Sequence, residues 1–247
     1  MIVRQGYGTR NFVVVPHINQ PGGPFQSIDH PAVSGRELEL RALADAVRRL
    51  VAATVSNTAT AAETAALAIE ANELAERMEA HIPDEPPPRY GFGVSKFEGP
   101  PITHRRAPFD LVTGICNPAA LTVEMSVDTE ANPAVARGRA NFSVVYEGPP
   151  GCVHGAAIAS VFDMVFTSAC SLADASGPTT KLSVQFRRPT LLGVETTFEG
   201  WVEDIQGQTT KVRGKALQGD QVTARAEGTF RQLELEAIRN LSRNSQV

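Results

Sequence analysis

A long apolar stretch between Gly155 and Leu172 restricts the fold of this chain more than any other feature. Its apolar residues recur with the period of an α-helix and cover most of the circumference, so the predicted helix should be enclosed by other elements. The charged residue within it is Asp163, and no Lys or Arg occurs between Arg139 and Lys181. A carboxylate is costly to bury without a partner, and a dry setting favours its protonated form. Asp163 is therefore a candidate catalytic residue.

Segments on both sides of this helix alternate between apolar and polar residues, which is the period of a half-buried strand. The alternating apolar residues are Ala140, Phe142, Val144 and Tyr146 before the helix, and Leu182, Val184 and Phe186 after it. Further strands are predicted at 121–128, 194–203, 209–217 and 222–231. Short turn-forming pairs, Gln206-Gly207 and Gly219-Asp220, separate the last three and predict antiparallel hairpins. The predicted class is α+β, with about six antiparallel strands curved around one central helix.

The amino-terminal part of the chain divides into two segments of different composition. Residues 1–33 are rich in Gly and Pro, which predicts a loosely held arm with a possible strand at 11–15. Residues 34–81 are rich in Ala, Leu, Glu and Arg, which predicts a helical hairpin broken near 56–58. Two capping boxes fit its helix starts, Ser34 with Glu37 and Thr60 with Glu63.

The remaining boundaries follow from proline content and from the change of period. Residues 82–104 contain the run PDEPPP and predict a semi-rigid linker, because proline lacks the amide that helices and central strands need. The compact domain is predicted at 105–232, and a short tail at 233–247.

Composition excludes several classes of function. The net charge of -4 gives no reason to expect nucleic acid as a partner. No segment near the amino terminus is long enough for a signal-peptide core or a membrane span. The histidines are scattered without metal-ligand spacing, and no phosphate-binding loop, dinucleotide fingerprint or serine-hydrolase elbow occurs, so we predict no metal and no cofactor. The odd cysteine count predicts reduced thiols in a cytoplasmic protein; the residues are Cys116, Cys152 and Cys170.

Three stretches resemble the hotdog acyl-coenzyme A thioesterases, particularly the phenylacetate-pathway type and the thioesterase-superfamily proteins of mammals. They are YEGPPGCVHGAAIASVFD, TTKLSVQFRRP and VTARAEGTF, which lie between Tyr146 and Phe230. Members of that family place His-Gly-Gly at the start of the central helix and an acidic residue nine positions after the His. That spacing gives His154, Gly155 and Asp163 here. Ala156 replaces the second glycine and is predicted to contact the substrate, narrowing the space beside the thioester. The resemblance implies the hotdog fold and a thioester hydrolase.

The residue types at these positions also suit attack on a thioester, independently of the resemblance. The first amides of a helix carry a partial positive charge, so the Gly155 N–H can stabilise the oxyanion that forms when a thioester carbonyl is attacked. Asp163 would act as the general base for a water molecule or as the nucleophile, and the sequence leaves both open. Thr167 resembles the Ser or Thr that holds the attacking water in some relatives, and Thr179 resembles a third active-site residue of the mammalian members. Gly148 stands where the benzoyl-type relatives have a glutamine.

Each assignment has a structural alternative. Asp163 could accept hydrogen bonds without taking part in catalysis. His154 is a candidate substrate contact but could instead cap the helix. Thr167 could donate back to the carbonyl of Asp163, as helical threonines commonly do. Arg187 and Arg188 are candidates for binding the coenzyme A phosphates, although strand arginines often only solvate a face.

We therefore expect an acyl-CoA thioesterase that releases a free acid and coenzyme A. The resemblance implies that two chains pair so that Gly155 of one and Asp163 of the other face the same thioester, which makes a homodimer the minimum assembly, with pairs of dimers common in the family. The alternative function is a non-catalytic acyl-CoA-binding or regulatory module. A dehydratase of the same fold is a weaker alternative, because its Asp and His spacing is not found.

Overall fold

The computed structural model describes residues 32–86 and 108–233. The predicted strand at 11–15 lies outside them, and the predicted domain boundaries stay predictions. Nine helices and strands are defined in the described ranges, in chain order: α1 Glu37–Ser56, α2 Ala61–Glu79, β1 Glu124–Asp128, β2 Val135–Ala140, α3 Gly155–Leu172, β3 Thr179–Phe186, β4 Thr196–Gln206, β5 Thr209–Gln218 and β6 Gln221–Arg231. A short 3₁₀ helix, Val144–Tyr146, precedes α3.

The six strands form one antiparallel sheet in the order β1-β2-β4-β5-β6-β3. The hairpins β4-β5 and β5-β6 turn at Gly207 and Gly219, whose φ angles of 58° and 57° lie in the region that glycine adopts readily. Strand β3 pairs with β6 and forms an edge of the sheet. The predicted α+β hotdog architecture is confirmed: a six-stranded antiparallel sheet packs on a central helix that follows two amino-terminal helices.

Helix α3 packs closely on the sheet because glycines leave space beneath it. The ring of Phe166 lies over three neighbouring strands at Gly200, Gly214 and Gly228, where an added methyl group would come within 2.9, 2.6 and 2.7 Å of ring carbons. Phe166 and Phe162 are fully buried. The ring of Phe162 also meets Phe198 edge to face, with centroids 5.2 Å apart. This packing fixes the helix against the inner face of the sheet.

The sheet covers one side of α3 and leaves the other partly open. Ten residues of the helix are buried, but a stripe of small and polar residues is half-buried: Ala159, Ser160, Asp163, Thr167 and Ser171. The prediction that the helix is enclosed is wrong for the single chain, because a one-layer sheet can cover one face only.

By length and composition α3 is the one helix of the described residues that could cross a membrane, but 56% of it is buried inside the fold.

Two local predictions are wrong. The alternating pattern at 139–146 continues as a strand only to Ala140, because the neighbouring strand β4 begins opposite it at Thr196 and offers no further partner. Phe142 instead points into the core, and Tyr146 ends the 3₁₀ helix. The Ser34 capping box does not form either: α1 begins after Arg36, whose guanidinium donates to the Ala32 carbonyl at 3.0 Å.

The Thr60–Glu63 capping box at the start of α2 is confirmed. The Thr60 hydroxyl accepts from the Glu63 amide, and the Glu63 carboxylate accepts from the Thr60 amide at 2.9 Å. No residue of α2 is buried, and the two predicted helices are both present.

Helix α1 docks on the sheet domain through a small second core and one arginine. Val33 and Cys116 are buried there, with Leu40 and Phe109 packed against them. The Arg48 guanidinium donates to three backbone carbonyls of a single turn, at 3.4 Å to residue 114, 2.9 Å to 115 and 2.8 Å to 117. Helix α1 also packs against the 3₁₀ helix that precedes α3.

Replacing Arg48 by Ala is expected to lower the free energy of unfolding by about 1–3 kcal/mol, because the three carbonyls lose a charged donor. Arg49→Ala is the matched control, since Arg49 is exposed and has no partner among the described residues. Urea unfolding at equilibrium measures both. Equal destabilisation by the two variants would contradict the role assigned to Arg48.

Candidate active site

The loop before α3 brings the helix start to the surface. The Gly148 amide donates to the Cys152 carbonyl at 2.9 Å, and the His154 amide donates to the Tyr146 carbonyl at 2.7 Å. A side chain at Gly148 would meet the His154 Cα at 2.9 Å, so this tight loop excludes the glutamine of the benzoyl-type relatives. The loop therefore holds His154, and with it the start of α3, through backbone hydrogen bonds.

His154 is the N-cap of α3. Its Nδ1 accepts a hydrogen bond from the Ala156 amide at 3.0 Å, so the capping alternative for His154 is observed. The amides of Ala157 and Ile158 donate to the His154 carbonyl. Among the described residues, the Gly155 amide has no acceptor. It is the free donor at the positive end of the helix, as an oxyanion site requires.

Asp163 lies half-buried on the open face of α3 and faces Thr179 at the start of β3. The Thr179 hydroxyl donates to Asp163 Oδ1 at 2.6 Å. No described residue donates to Oδ2, and no described Lys or Arg pairs with this carboxylate. Thr179 thus orients the Asp163 side chain while one carboxylate oxygen stays available.

Thr167 makes the hydrogen bond to the helix backbone that was its structural alternative. Its hydroxyl donates to the backbone carbonyl of Asp163 at 2.8 Å, one turn earlier on α3. Its oxygen lies on the same half-buried stripe as Asp163. A role for Thr167 in holding water stays a prediction.

The two ends of the candidate site are far apart within one chain. Gly155 and Asp163 are separated by two turns of α3, which at about 1.5 Å per residue places their Cα atoms about 12 Å apart along the axis. A thioester carbonyl is too small to contact both. The free amide and the carboxylate of one chain therefore cannot serve the same carbonyl.

A basic groove lies just beyond the end of β3. It has a volume of about 510 Å³ and is lined by Arg187, Arg188, Asp220, Gln221, Val222 and Arg225. Arg187 donates to the Gln185 side chain at 2.7 Å. Within the described ranges, the guanidinium groups of Arg188 and Arg225 have no partner. Three arginines in one groove can bind phosphate groups through charged hydrogen bonds.

Sequence reasoning missed two residues of this region. Arg225 lines the groove because β3 pairs with β6, which places Gln185 opposite Arg225. The sequence alone does not indicate this pairing between distant segments. The period of β3 predicts Phe186 on the half-buried face, but the residue is 56% exposed and lies against Gly155. Ala156, a predicted substrate contact, is exposed at the helix start.

The cysteines and histidines do not form a metal site in the described part of the chain, where no cluster of metal-ligating side chains occurs. The three cysteines are unpaired. Burial raises the pKa of the Cys170 thiol to about 12 and raises that of Cys116 as well. These two thiols are therefore poor nucleophiles.

The chain matches a family model over part of its length and several solved structures. Residues 150–225 match the family model of the thioesterase superfamily. The crystal structure of RHA08564, a thioesterase superfamily protein, is 29% identical, with a TM-score of 0.66 over 77% of this chain and 94% of that one. That coverage exceeds residues 108–247, so it includes part of the amino-terminal extension.

Shorter matches include the E. coli PaaI protein from the phenylacetic acid degradation operon, at 17% identity, 46% of this chain, 81% of that chain and a TM-score of 0.41. Another is smu.793 from Streptococcus mutans bound to acetyl CoA, at 17% identity, 45% and 88% coverage and a TM-score of 0.41. No curated protein matches the sequence. Residues 150–225 thus resemble the thioesterase superfamily, and the six-stranded sheet with its central helix shows the hotdog fold.

Proposed function

We propose that the chain hydrolyses an acyl-CoA thioester to a free carboxylic acid and coenzyme A. The observation that carries this proposal is the pair of groups on α3: a first amide with no acceptor among the described residues, and a carboxylate oriented by Thr179. The match of residues 150–225 to the thioesterase superfamily supports the same reaction type. An oxyanion donor and a positioned carboxylate are the two groups that thioester hydrolysis needs.

In the proposed reaction the thioester carbonyl oxygen accepts a hydrogen bond from the Gly155 amide. Asp163 Oδ2 takes a proton from water, and the hydroxide attacks the carbonyl carbon. The tetrahedral intermediate then loses the coenzyme A thiolate, which receives the proton, so the carbon–sulfur bond breaks and an acid forms. In the alternative route Oδ2 itself attacks and water hydrolyses the mixed anhydride. Label from ¹⁸O water in the Asp163 carboxylate after a single turnover would identify the second route, with water attacking the Asp163 carbonyl of the anhydride.

The reaction requires two chains, since Gly155 and Asp163 of one chain are about 12 Å apart along α3. We propose a homodimer in which each thioester lies between the amide of one protomer and the carboxylate of its partner. The half-buried stripe on α3 and the edge strand β3 are the surfaces that a second copy would cover. A dimer of dimers stays an expectation. Light scattering during size-exclusion chromatography measures the assembly.

The test of the proposed function is release of free thiol from a panel of aliphatic and aryl acyl-CoA substrates at equal concentration. Release from at least one member by the full chain is expected. If no member releases thiol while calorimetry detects acyl-CoA binding, the chain is a binding module instead.

Arg188 and Arg225 are proposed to bind the phosphates of the coenzyme A moiety. Arg225→Ala is expected to raise KM for acyl-CoA roughly tenfold, the effect of losing one charged hydrogen bond, and less at high salt because ions screen exposed charges. The same acyl group on N-acetylcysteamine carries no phosphate, so its KM should not change. Arg139→Ala is the control, because Arg139 is an exposed strand arginine remote from the groove. Equal KM changes for both substrates would contradict the assignment.

A further inference from the structure

Phe186, the last residue of β3, places the far edge of its ring against the backbone of Gly155. A methyl group added at Gly155 would lie 2.9 Å from Phe186 Cζ and 3.4 and 3.5 Å from the two Cε atoms. Gly155 is therefore a glycine partly because this ring occupies the space where a side chain would project. The ring forms one wall beside the free amide of α3.

The exposure of Phe186 is unusual for its strand. Leu182 and Val184 alternate with it and pack against the main core, whereas Phe186 is 56% exposed. A phenyl ring gains most free energy when it is buried. Because the exposed ring lies against Gly155, it can contact an apolar group that binds beside the free amide.

Phe186 also lies between the two parts of the proposed substrate site. Arg187 and Arg188 follow it directly, and Ala224 faces it across the ladder with Arg225 next in sequence. The ring is therefore next to the Gly155 amide on one side and to residues of the basic groove on the other.

We propose that Phe186 is a substrate-contacting residue that packs on the thioester end of the substrate and excludes water from the Gly155 amide. This inference rests on the proposed function. Contact with the apolar chain beside the sulfur adds binding energy, and removal of water strengthens the amide–oxyanion hydrogen bond in the transition state. Because the contact is close to the sulfur, it does not depend on the nucleotide part of the substrate.

The test compares Phe186→Ala and Phe186→Leu on an acyl-CoA and on the same acyl group carried by N-acetylcysteamine. Phe186→Ala is expected to lower kcat/KM roughly tenfold on both substrates, the effect of losing an apolar contact in a binding site, and Phe186→Leu should retain part of the activity. Leu67→Ala, at an equally exposed apolar residue of α2, should leave kcat/KM unchanged. Loss on the CoA substrate alone would place Phe186 in the phosphate site and overturn the inference.

A double-variant cycle tests the contact with Gly155 directly. Gly155→Ala keeps the amide but pushes the ring aside, so it should lower kcat/KM more in wild type than in the Phe186→Ala background. Equal effects in both backgrounds would overturn the proposed contact.

Two further readouts separate the possible failures. Light scattering should show the same assembly for wild type and Phe186→Ala; a change of assembly together with loss of activity would make Phe186 an interface residue and overturn the inference. If wild type hydrolyses thioesters and Phe186→Ala is equally active, only the role of Phe186 fails. If wild type hydrolyses none, the proposed function fails and this role fails with it.

Discussion

Replacing Asp163 by Asn is expected to lower kcat for acyl-CoA hydrolysis by roughly 10²–10⁴-fold, the usual contribution of a positioned general base. The Asn side-chain oxygen can still accept the hydrogen bond from Thr179, so the geometry of the site should persist. An amide can neither take a proton from water nor form an anhydride with the acyl group. Thiol release under saturating substrate gives kcat, and thermal unfolding shows whether the fold is retained.

Asp174→Asn is the matched control for this variant. Asp174 is exposed just after α3 and has a φ of 52°, a conformation that Asn also tolerates. Its replacement should change neither kcat nor stability. If Asp163→Asn releases thiol at the rate of wild type, Asp163 has no part in the chemistry and the proposed mechanism is wrong.

Phe166→Ala is expected to lower the free energy of unfolding by about 3–5 kcal/mol, which is the range for removing a fully buried aromatic ring. The ring fills the space above Gly200, Gly214 and Gly228, and none of these residues has a side chain that could move into the cavity. Equilibrium unfolding in urea measures the change. A loss below 1.5 kcal/mol, the upper end for volume-conserving swaps, would mean that the helix relaxes into the gap.

Gly228→Ala tests the same contact from the other side. Its added methyl group would lie 2.7 Å from Phe166 Cδ2 and 3.0 Å from Phe230 Cε2, so overpacking should cost about 1–3 kcal/mol. Combining it with Phe166→Leu should cost less than the sum of the two single changes. Strict additivity would contradict direct packing between these residues.

The sequence predicts the elements whose patterns are local. The helix expected at 155–172 has those bounds because its apolar residues, its His154 cap and its low charge all lie within the segment itself. The two hairpins are predicted by the turn-forming pairs Gln206-Gly207 and Gly219-Asp220, whose glycines have positive φ angles. The resemblance also predicts Thr179 as a site residue, and the Thr179 hydroxyl donates a hydrogen bond to Asp163.

The features that depend on distant partners could not be predicted. The pattern at 139–146 has a strand period throughout, but a strand persists only where a neighbour pairs with it, and β4 begins too late. Arg225 enters the basic groove through the pairing of β3 with β6, which the sequence does not specify. Phe186 fits the inward face of its strand by period, yet its position at the strand end brings it to the helix start instead.

Helix α1 supports the loop that precedes α3. It packs on residues 144–146, and the last carbonyl of that segment holds the backbone of His154. A shortened protein beginning at residue 108 would keep the candidate site residues on α3 and β3 yet lose the outer support of the loop before α3. Measurements on such a fragment would describe a less ordered helix start than that of the chain with α1.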